Sequence, residues 1–238
     1  MERKSPEDLL APLLAKAEVF GALSEERALW LARRVPDVRF GRGQILYGPR
    51  YDSRIIFVLL EGRVRLYKAL GSAELTLEII EAGHLFGAVP ALAGRQHGAY
   101  AEALVPSRVA LLSIKVIHQL VQENPELGLR LAELLARRLY YYQERMADVA
   151  LKKVSARLAS VLLRLLETEG VVTPEGVVIR TRYTHEQLAT MIGAKRVAVS
   201  RAMTGLRGAN AVEVKGQRIF LKDKAALQRA AEARTRLQ

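Results

Sequence analysis

Three textures alternate along the chain. Residues 6–34 place Leu9, Leu10, Leu13, Leu14 and Ala17 on one apolar stripe and Leu29 and Leu31 on a second, a spacing that predicts helix. Ser24, followed by Glu25, Glu26 and Arg27, reads as a helix N-cap with acidic residues in the first turn. From Val38 to about Ile114 the pattern breaks into short apolar runs: Gln44–Tyr47, Ile55–Leu60, Val64–Tyr67, Leu75–Ile80, Ala99–Leu104 and Val109–Ser113. Gly41, Gly43, Gly48-Pro49, Gly62, Gly71, Gly83 and Pro106 punctuate them, which predicts an antiparallel barrel or sandwich.

Helical spacing returns over 115–150. Asn124-Pro125-Glu126 is a start signal with proline at the first helical position. Beyond it Ala132, Leu135, Leu139, Tyr142, Met146 and Val149 are spaced 3-4-3-4-3, the pattern of a two-helix coiled-coil seam. Leu127, Leu131 and Leu134 make a second stripe. One stripe can pack on the helix's own domain and the other on a second copy, so the seam Leu135, Leu139, Tyr142, Met146 and Val149 predicts a homodimer. A further helix covers 154–169, ended by Gly170, and Val177–Arg180 reads as a short strand.

The next segment is the most informative. Thr184-His185-Glu186-Gln187 is a capping box, and Leu188, Ala189 and Ile192 give the apolar face of a short helix. Gly193 stands where that helix must stop and turn. A second helix follows, with Lys195, Arg196, Ser200, Arg201 and Thr204 on its exposed side, Val197 among them, and no acidic residue. A short helix, a glycine turn and a second helix is helix-turn-helix spacing, and these side chains bond phosphates and base edges. Val212–Val214, Lys215-Gly216-Gln217 and Arg218–Leu221 read as a hairpin "wing" beside it. The expected DNA-contacting set is Thr184, His185, Lys195, Arg196, Val197, Ser200, Arg201, Thr204, Lys215 and Arg218.

Charge reinforces this reading. The chain of 238 residues carries a net +12. Residues 1–151 hold 20 Lys/Arg against 18 Asp/Glu, and residues 152–238 hold 17 against 7, so the excess of +10 sits in the part with the motif. A basic domain joined to a near-neutral one implies a polyanion partner for one half. With no cysteine, disulfides, thiolate zinc sites, iron–sulfur clusters and thiol redox sensing are excluded. The four histidines are scattered, and no apolar run reaches the roughly 20 residues of a membrane span. No signal-peptide core follows the N-terminus, and a cytoplasmic protein is expected. No Ser–His–Asp, paired-carboxylate or P-loop constellation is visible, so no enzyme is expected and no cofactor.

Taken together, Phe20-Gly-Ala-Leu-Ser-Glu-Glu, Ile56-Phe-Val-Leu-Leu-Glu-Gly-Arg-Val, Glu81-Ala-Gly-His-Leu-Phe-Gly, and Asn124-Pro-Glu-Leu running into Ala136-Arg-Arg-Leu resemble the cyclic-AMP receptor protein and FNR (CRP/FNR) superfamily over nearly the whole chain. Lys195-Arg-Val-Ala-Val-Ser-Arg, Gly205-Leu-Arg and Phe86-Gly-Ala-Val are most similar to its cyanobacterial nitrogen-regulator branch. The resemblance implies an α+β protein: an N-terminal antiparallel β-barrel of the cyclic-nucleotide-binding jelly-roll type (1–123), a dimerisation helix (124–150) and a C-terminal winged helix-turn-helix (151–238). It implies a dimeric transcription regulator that binds a palindromic double-stranded promoter site and contacts RNA polymerase, with no membrane association.

The same resemblance places an effector pocket at Phe86, Gly87, Ala88, Val89, His97, Arg138, Tyr142 and Gln143. Cyclic-AMP binders hold the cyclic phosphate with a Gly-Glu pair and a downstream Arg-Ser or Arg-Thr; these positions are Ala88 and His97-Gly98 here. The adenine-contacting hydroxyl pair falls at Tyr142-Gln143. An anionic phosphate needs that cation and its cradle, so cyclic-AMP dependence is not expected. Arg138 matches one 2-oxoglutarate-sensing arginine of the nitrogen regulators. The second is unmatched at Gly98, with Arg95 nearby, and the dimer-helix Glu of that pattern is Gln143. The expectation is an effector-free regulator, the alternative one responsive to 2-oxoglutarate or a similar metabolite.

Overall fold

A computed structural model describes residues 5–51 and 54–233. In chain order the elements are α1 (Pro6–Ala15), α2 (Glu25–Ala32), β1 (Asp37–Phe40), β2 (Ile45–Tyr47), β3 (Ile55–Glu61), β4 (Arg63–Leu70), β5 (Ala73–Glu81), β6 (Leu85–Phe86), α3 (Ala88–Ala93), β7 (Tyr100–Ala103), β8 (Ser107–Ser113), α4 (Ile114–Glu123) and α5 (Pro125–Leu151). They continue as α6 (Val154–Glu169), β9 (Gly170–Thr173), β10 (Gly176–Ile179), α7 (His185–Ile192), α8 (Arg196–Gly208), β11 (Val212–Lys215), β12 (Arg218–Leu221) and α9 (Lys224–Glu232). The chain forms two compact units. One comprises residues up to 73 with 77–139, the other 74–76 with residues from 140 onward.

In the first unit two four-stranded sheets, ordered β1-β8-β3-β6 and β2-β7-β4-β5, make the jelly roll; they are not joined into a closed cylinder. Strand β3 shows why the run Ile55–Leu60 is apolar without alternation. Its Phe57 and Leu59 join Tyr47, Val64, Phe86 and Val109 in one core. Ile56, Val58 and Leu60, on the opposite face, join Leu14 of α1, Leu31 of α2 and Leu127, Leu131 and Leu134 of α5 in another. A strand buried on both faces reads as a continuous hydrophobic run.

The helical stretch predicted over 6–34 is two helices. Ser5 and Ser24 each cap one, with their hydroxyls accepting from the amides of Asp8 and Arg27. The segment between is a series of turns that buries Val19 and Phe20, and Leu9 is exposed. The break at Asn124-Pro125 appears as expected between α4 and α5. Of the two stripes on α5, Leu127, Leu131 and Leu134 are buried, whereas Leu139, Met146 and Val149 are 59, 71 and 50 % exposed in the single chain. Leu135 and Tyr142 are half-buried.

In the second unit α6 lies at the centre. Its Ala156, Leu158, Ala159, Leu162 and Leu165 are buried, and it packs against α7, α8, α9 and the sheet β11-β12-β10-β9. Gly170 ends α6 as expected and also begins strand β9, which pairs with β10 from Gly170↔Ile179 to Thr173↔Gly176.

Candidate nucleic-acid interface

The capping box at Thr184 forms as the sequence predicts. Thr184 Oγ1 accepts from the Gln187 amide at 3.1 Å, and Gln187 Oε1 accepts from the Thr184 amide at 2.9 Å. Helix α7 buries Leu188, Ala189, Met191 and Ile192 and ends at Gly193, whose φ of 61° lies in the left-handed region that a side chain disfavours. Helix α8 then buries Val199, Ala202, Met203 and Leu206 against it. Ala189 and Val199 are 1 and 0 % exposed, so a small residue and a β-branched one fill the crossing.

Burying that face turns the polar one outward. Lys195, Arg196, Val197, Arg201 and Thr204 are exposed, Val197 by 61 %. Neither Arg196 nor Arg201 forms an ion pair with another described residue. Lys195 is the N-cap of α8, no side chain caps the helix there, and its first turn holds no acidic residue. The leading amides and the positive end of the helix dipole therefore face outward beside two guanidiniums, an arrangement that attracts phosphate oxygens.

Ser200 is engaged inside the motif. It is half-buried, and its hydroxyl lies 2.8 Å from His185 Nδ1, a bond that ties the start of α7 to the middle of α8. The Thr204 hydroxyl donates back to the Ser200 carbonyl at 3.1 Å.

The wing forms as a two-residue hairpin, with Lys215↔Arg218 as its last pair and Gly216 and Gln217 at φ 52° and 64°. Its two cations differ. Arg218 is exposed and without an ion pair among the described residues. Lys215 Nζ lies 3.4 Å from Glu213 and 3.7 Å from Glu175, and Lys222 shares Glu213 at 3.3 Å. Partial desolvation pushes the Glu213 carboxyl up, but Lys222 and Lys215 outweigh it and hold the group below the usual carboxylate range. Exposed Arg180 and Arg182, just before Thr184, and Arg207 at the end of α8 complete the basic surface. The run Arg180-Thr-Arg carried a signal for them in its charge, but no periodicity set it apart.

Several of the residues expected to line an effector pocket are packed against aromatic neighbours in the first unit. Phe86 stacks on Phe57 with ring centres 5.2 Å apart, Tyr47 lies 5.0 Å from Phe57, and His97 stacks on Tyr47 at 3.9 Å. Tyr47, Phe57, Phe86 and His97 are all buried. Gly87 has φ 75°, and a Cβ there would meet the Phe57 ring at 2.9 Å. Ala88 is buried at the start of α3, and Val89 is exposed. Arg138 is bound by the protein's own acids: Nη2 lies 3.5 Å from Glu18 and Nε 3.6 Å from Glu78. Burial first, and then the Glu78 charge, push the Tyr47 hydroxyl well above the usual phenol range against the pull of Arg138. Farther along α5, Tyr142 packs beside Tyr141 and Gln143 is exposed.

Residues 37–124 match the model of the cyclic nucleotide-binding domain, and residues 156–230 match that of the Crp-like helix-turn-helix domain. The chain belongs to the CRP/FNR family of transcription regulators. It is 27 % identical to the global nitrogen regulator of Synechocystis sp. over 191 residues, 79 % of this chain and 85 % of that protein. It is 24 % identical to the CRP-like cAMP-activated global transcriptional regulator of Mycobacterium tuberculosis, over 92 % of this chain and 98 % of that one. Among solved structures, a CRP/FNR-family transcriptional regulator of Thermus thermophilus superposes with a TM-score of 0.70 at 28 % identity, covering 84 % of this chain and all (100 %) of that one. A CooA mutant from Carboxydothermus hydrogenoformans gives 0.74 at 25 %, covering 84 % and 89 %. CRP/FNR regulators are DNA-binding proteins, and no described helix of this one is long and apolar enough to cross a membrane.

Proposed function

We propose that this CRP/FNR regulator is a non-enzymatic, cytoplasmic homodimer that reads a palindromic promoter site with α8 and its wing, contacts RNA polymerase there, and needs no effector in its jelly roll. The observation that carries the effector-free reading is the occupied pocket. An anion bound at Arg138 must displace Glu18 and Glu78, and a ring must displace the Tyr47–His97 stack. No Arg-Ser cradle stands at His97-Gly98 for a cyclic phosphate. A 2-oxoglutarate-type effector is the second reading, favoured by Arg138 and by the 27 % identity to the nitrogen regulator. The two carboxylates on Arg138 weigh against it, since a dianion would enter beside like charge.

Dimerisation rests on the exposed stripe of Leu139, Met146 and Val149, with Leu135 and Tyr142 completing the seam. A two-fold dimer places two recognition helices in successive major grooves about 34 Å apart. Within each half-site Arg196, at the start of α8, bonds guanine O6 and N7, and Val197 packs its methyls on an adjacent thymine. Arg201 lies about 140° around the helix from Arg196 and takes a neighbouring base or a phosphate. Lys195, Thr184, Thr204, Arg218 and, more weakly, Lys215 hold the backbone, while His185 and Ser200 brace the motif. Titration calorimetry with cyclic AMP and with 2-oxoglutarate tests the pocket: no heat of binding is expected from either, and micromolar binding of one would replace this reading with an effector-dependent one.

A further inference from the structure

Helices α7 and α8 join at the Gly193 turn, and the 2.8 Å bond between His185 Nδ1 and the Ser200 hydroxyl ties them again farther out. His185 opens α7, seven residues before Ile192 at its end. Ser200 stands four residues after Arg196, the first of α8. With a rise of about 1.5 Å per residue, the bond joins points roughly 10 Å along one helix and roughly 6 Å along the other. It closes a triangle with the turn at one corner, which fixes the angle between the helices. The buried Val199, Ala202, Met203 and Leu206 attract without direction, whereas a hydrogen bond weakens steeply when its geometry is lost. The bond therefore resists rotation of α8 about its own axis in a way that the apolar contacts do not.

That rotation aims the side chains that read bases. Arg196, Ser200 and Thr204 are spaced by four and form one row along α8. Measured around the axis from Arg196, Ser200 lies at about 40°, Val197 at about 100° and Arg201 at about 140°. Ser200 thus stands between the two arginines. Arg196, Val197, Arg201 and Thr204 are exposed, but Ser200 is half-buried with its hydroxyl oxygen turned to the α7 imidazole. Its carbonyl is held as well, by the Thr204 hydroxyl at 3.1 Å.

We propose that His185 is a specificity-positioning residue that acts through Ser200, an inference that rests on the reading of α8 as the recognition helix. By holding Ser200, His185 fixes the aim of Arg196, one turn before it on the same row. It also withholds from the DNA a hydroxyl that both donates and accepts and so suits more than one base edge. The base pair facing Ser200 goes unread, and operator preference comes from Arg196, Val197 and Arg201.

In vitro selection on the full-length protein and its variants tests this. Asparagine at 185 places an amide where Nδ1 stands and keeps the bond, whereas glutamine reaches only to the Nε2 position. His185→Ala and His185→Gln should relax preference at the Arg196 guanine by roughly three- to tenfold, what one hydrogen bond supplies. Both should gain a new preference at the neighbouring base pair, where the released Ser200 hydroxyl bonds. His185→Asn should select the wild-type motif. Ser200→Ala should share the relaxation without the new preference, and adding His185→Ala to it should change the motif no further. A wild-type motif from His185→Ala would overturn the proposal, even with a lowered melting temperature, because His185 would then only support the fold. A motif kept by His185→Gln and lost by His185→Asn would also overturn it. So would an even loss of affinity across all sequences with a salt slope lowered by about one, the mark of a phosphate contact. Should His185→Ala fail to fold, the contrast between His185→Asn and His185→Gln decides in the same way. No enriched motif from the wild type would instead overturn the reading of α8, and this inference with it.

Discussion

Arg196 and Arg218 carry the sharpest tests at the residue scale. Arg196→Ala should cost roughly 1–3 kcal/mol of operator affinity and relax preference at a single guanine, as measured by in vitro selection on both proteins. Equal enrichment at that position would mean that Arg196 only holds the backbone. In the wing, Arg218→Ala should lower the slope of log affinity against log salt by about one, because an unpaired cation releases a counterion on binding. Lys215→Ala should lower it by less, since Glu213 and Glu175 already share its charge. Fluorescence anisotropy across a salt series separates the two. That difference was not legible in the sequence, where both are basic residues flanking a turn; Glu175 lies 40 positions away and comes close only through the β9–β10 turn. The bond between His185 and Ser200 was hidden for the same reason: it depends on how two helices cross. The capping box was legible because all of its atoms lie within four residues.

Among the elements, α5 holds the most information. Its two stripes were legible from spacing alone, and burial separates them as expected: Leu127, Leu131 and Leu134 go inward, while Leu139, Met146 and Val149 stay open. Leu139→Glu would place facing carboxylates in the seam and should give monomers with weak DNA binding. Sedimentation reads this directly, and a wild-type monomer at micromolar concentration would refute the dimer. Arg138 on the same helix should behave as a structural cation. Arg138→Ala leaves Glu18 and Glu78 without their shared partner and should cost about 1–3 kcal/mol in denaturant unfolding. Short elements were the least legible. Strand β9 follows α6 with no intervening loop, so Gly170 reads only as a helix stop. Strand β6 is two residues long, and α3 opens at the left-handed Gly87 without a side-chain cap. None of these has enough length for a period to emerge.

At the scale of the whole molecule, the chain divides its chemistry as it divides its charge. The near-neutral half packs apolar residues into a jelly roll in which Tyr47, Phe57, Phe86 and His97 are buried together and Arg138 is held by Glu18 and Glu78. The basic half keeps Arg196 and Arg201 without an ion pair among the described residues, on a helix whose N-terminus has no side-chain cap. The sequence revealed the missing phosphate cradle at Ala88 and His97-Gly98, yet it did not reveal the aromatic packing nearby, since Tyr47 and Phe57 stand on different sheets and His97 on the loop after α3, and they meet only in the packed fold. An effector-free regulator, as proposed, should bind DNA in one state. The most direct test is the affinity of the purified protein for its selected operator, by fluorescence anisotropy at fixed salt, alone and with saturating cyclic AMP or 2-oxoglutarate. The same affinity is expected in all three. A tenfold rise with either compound would contradict it.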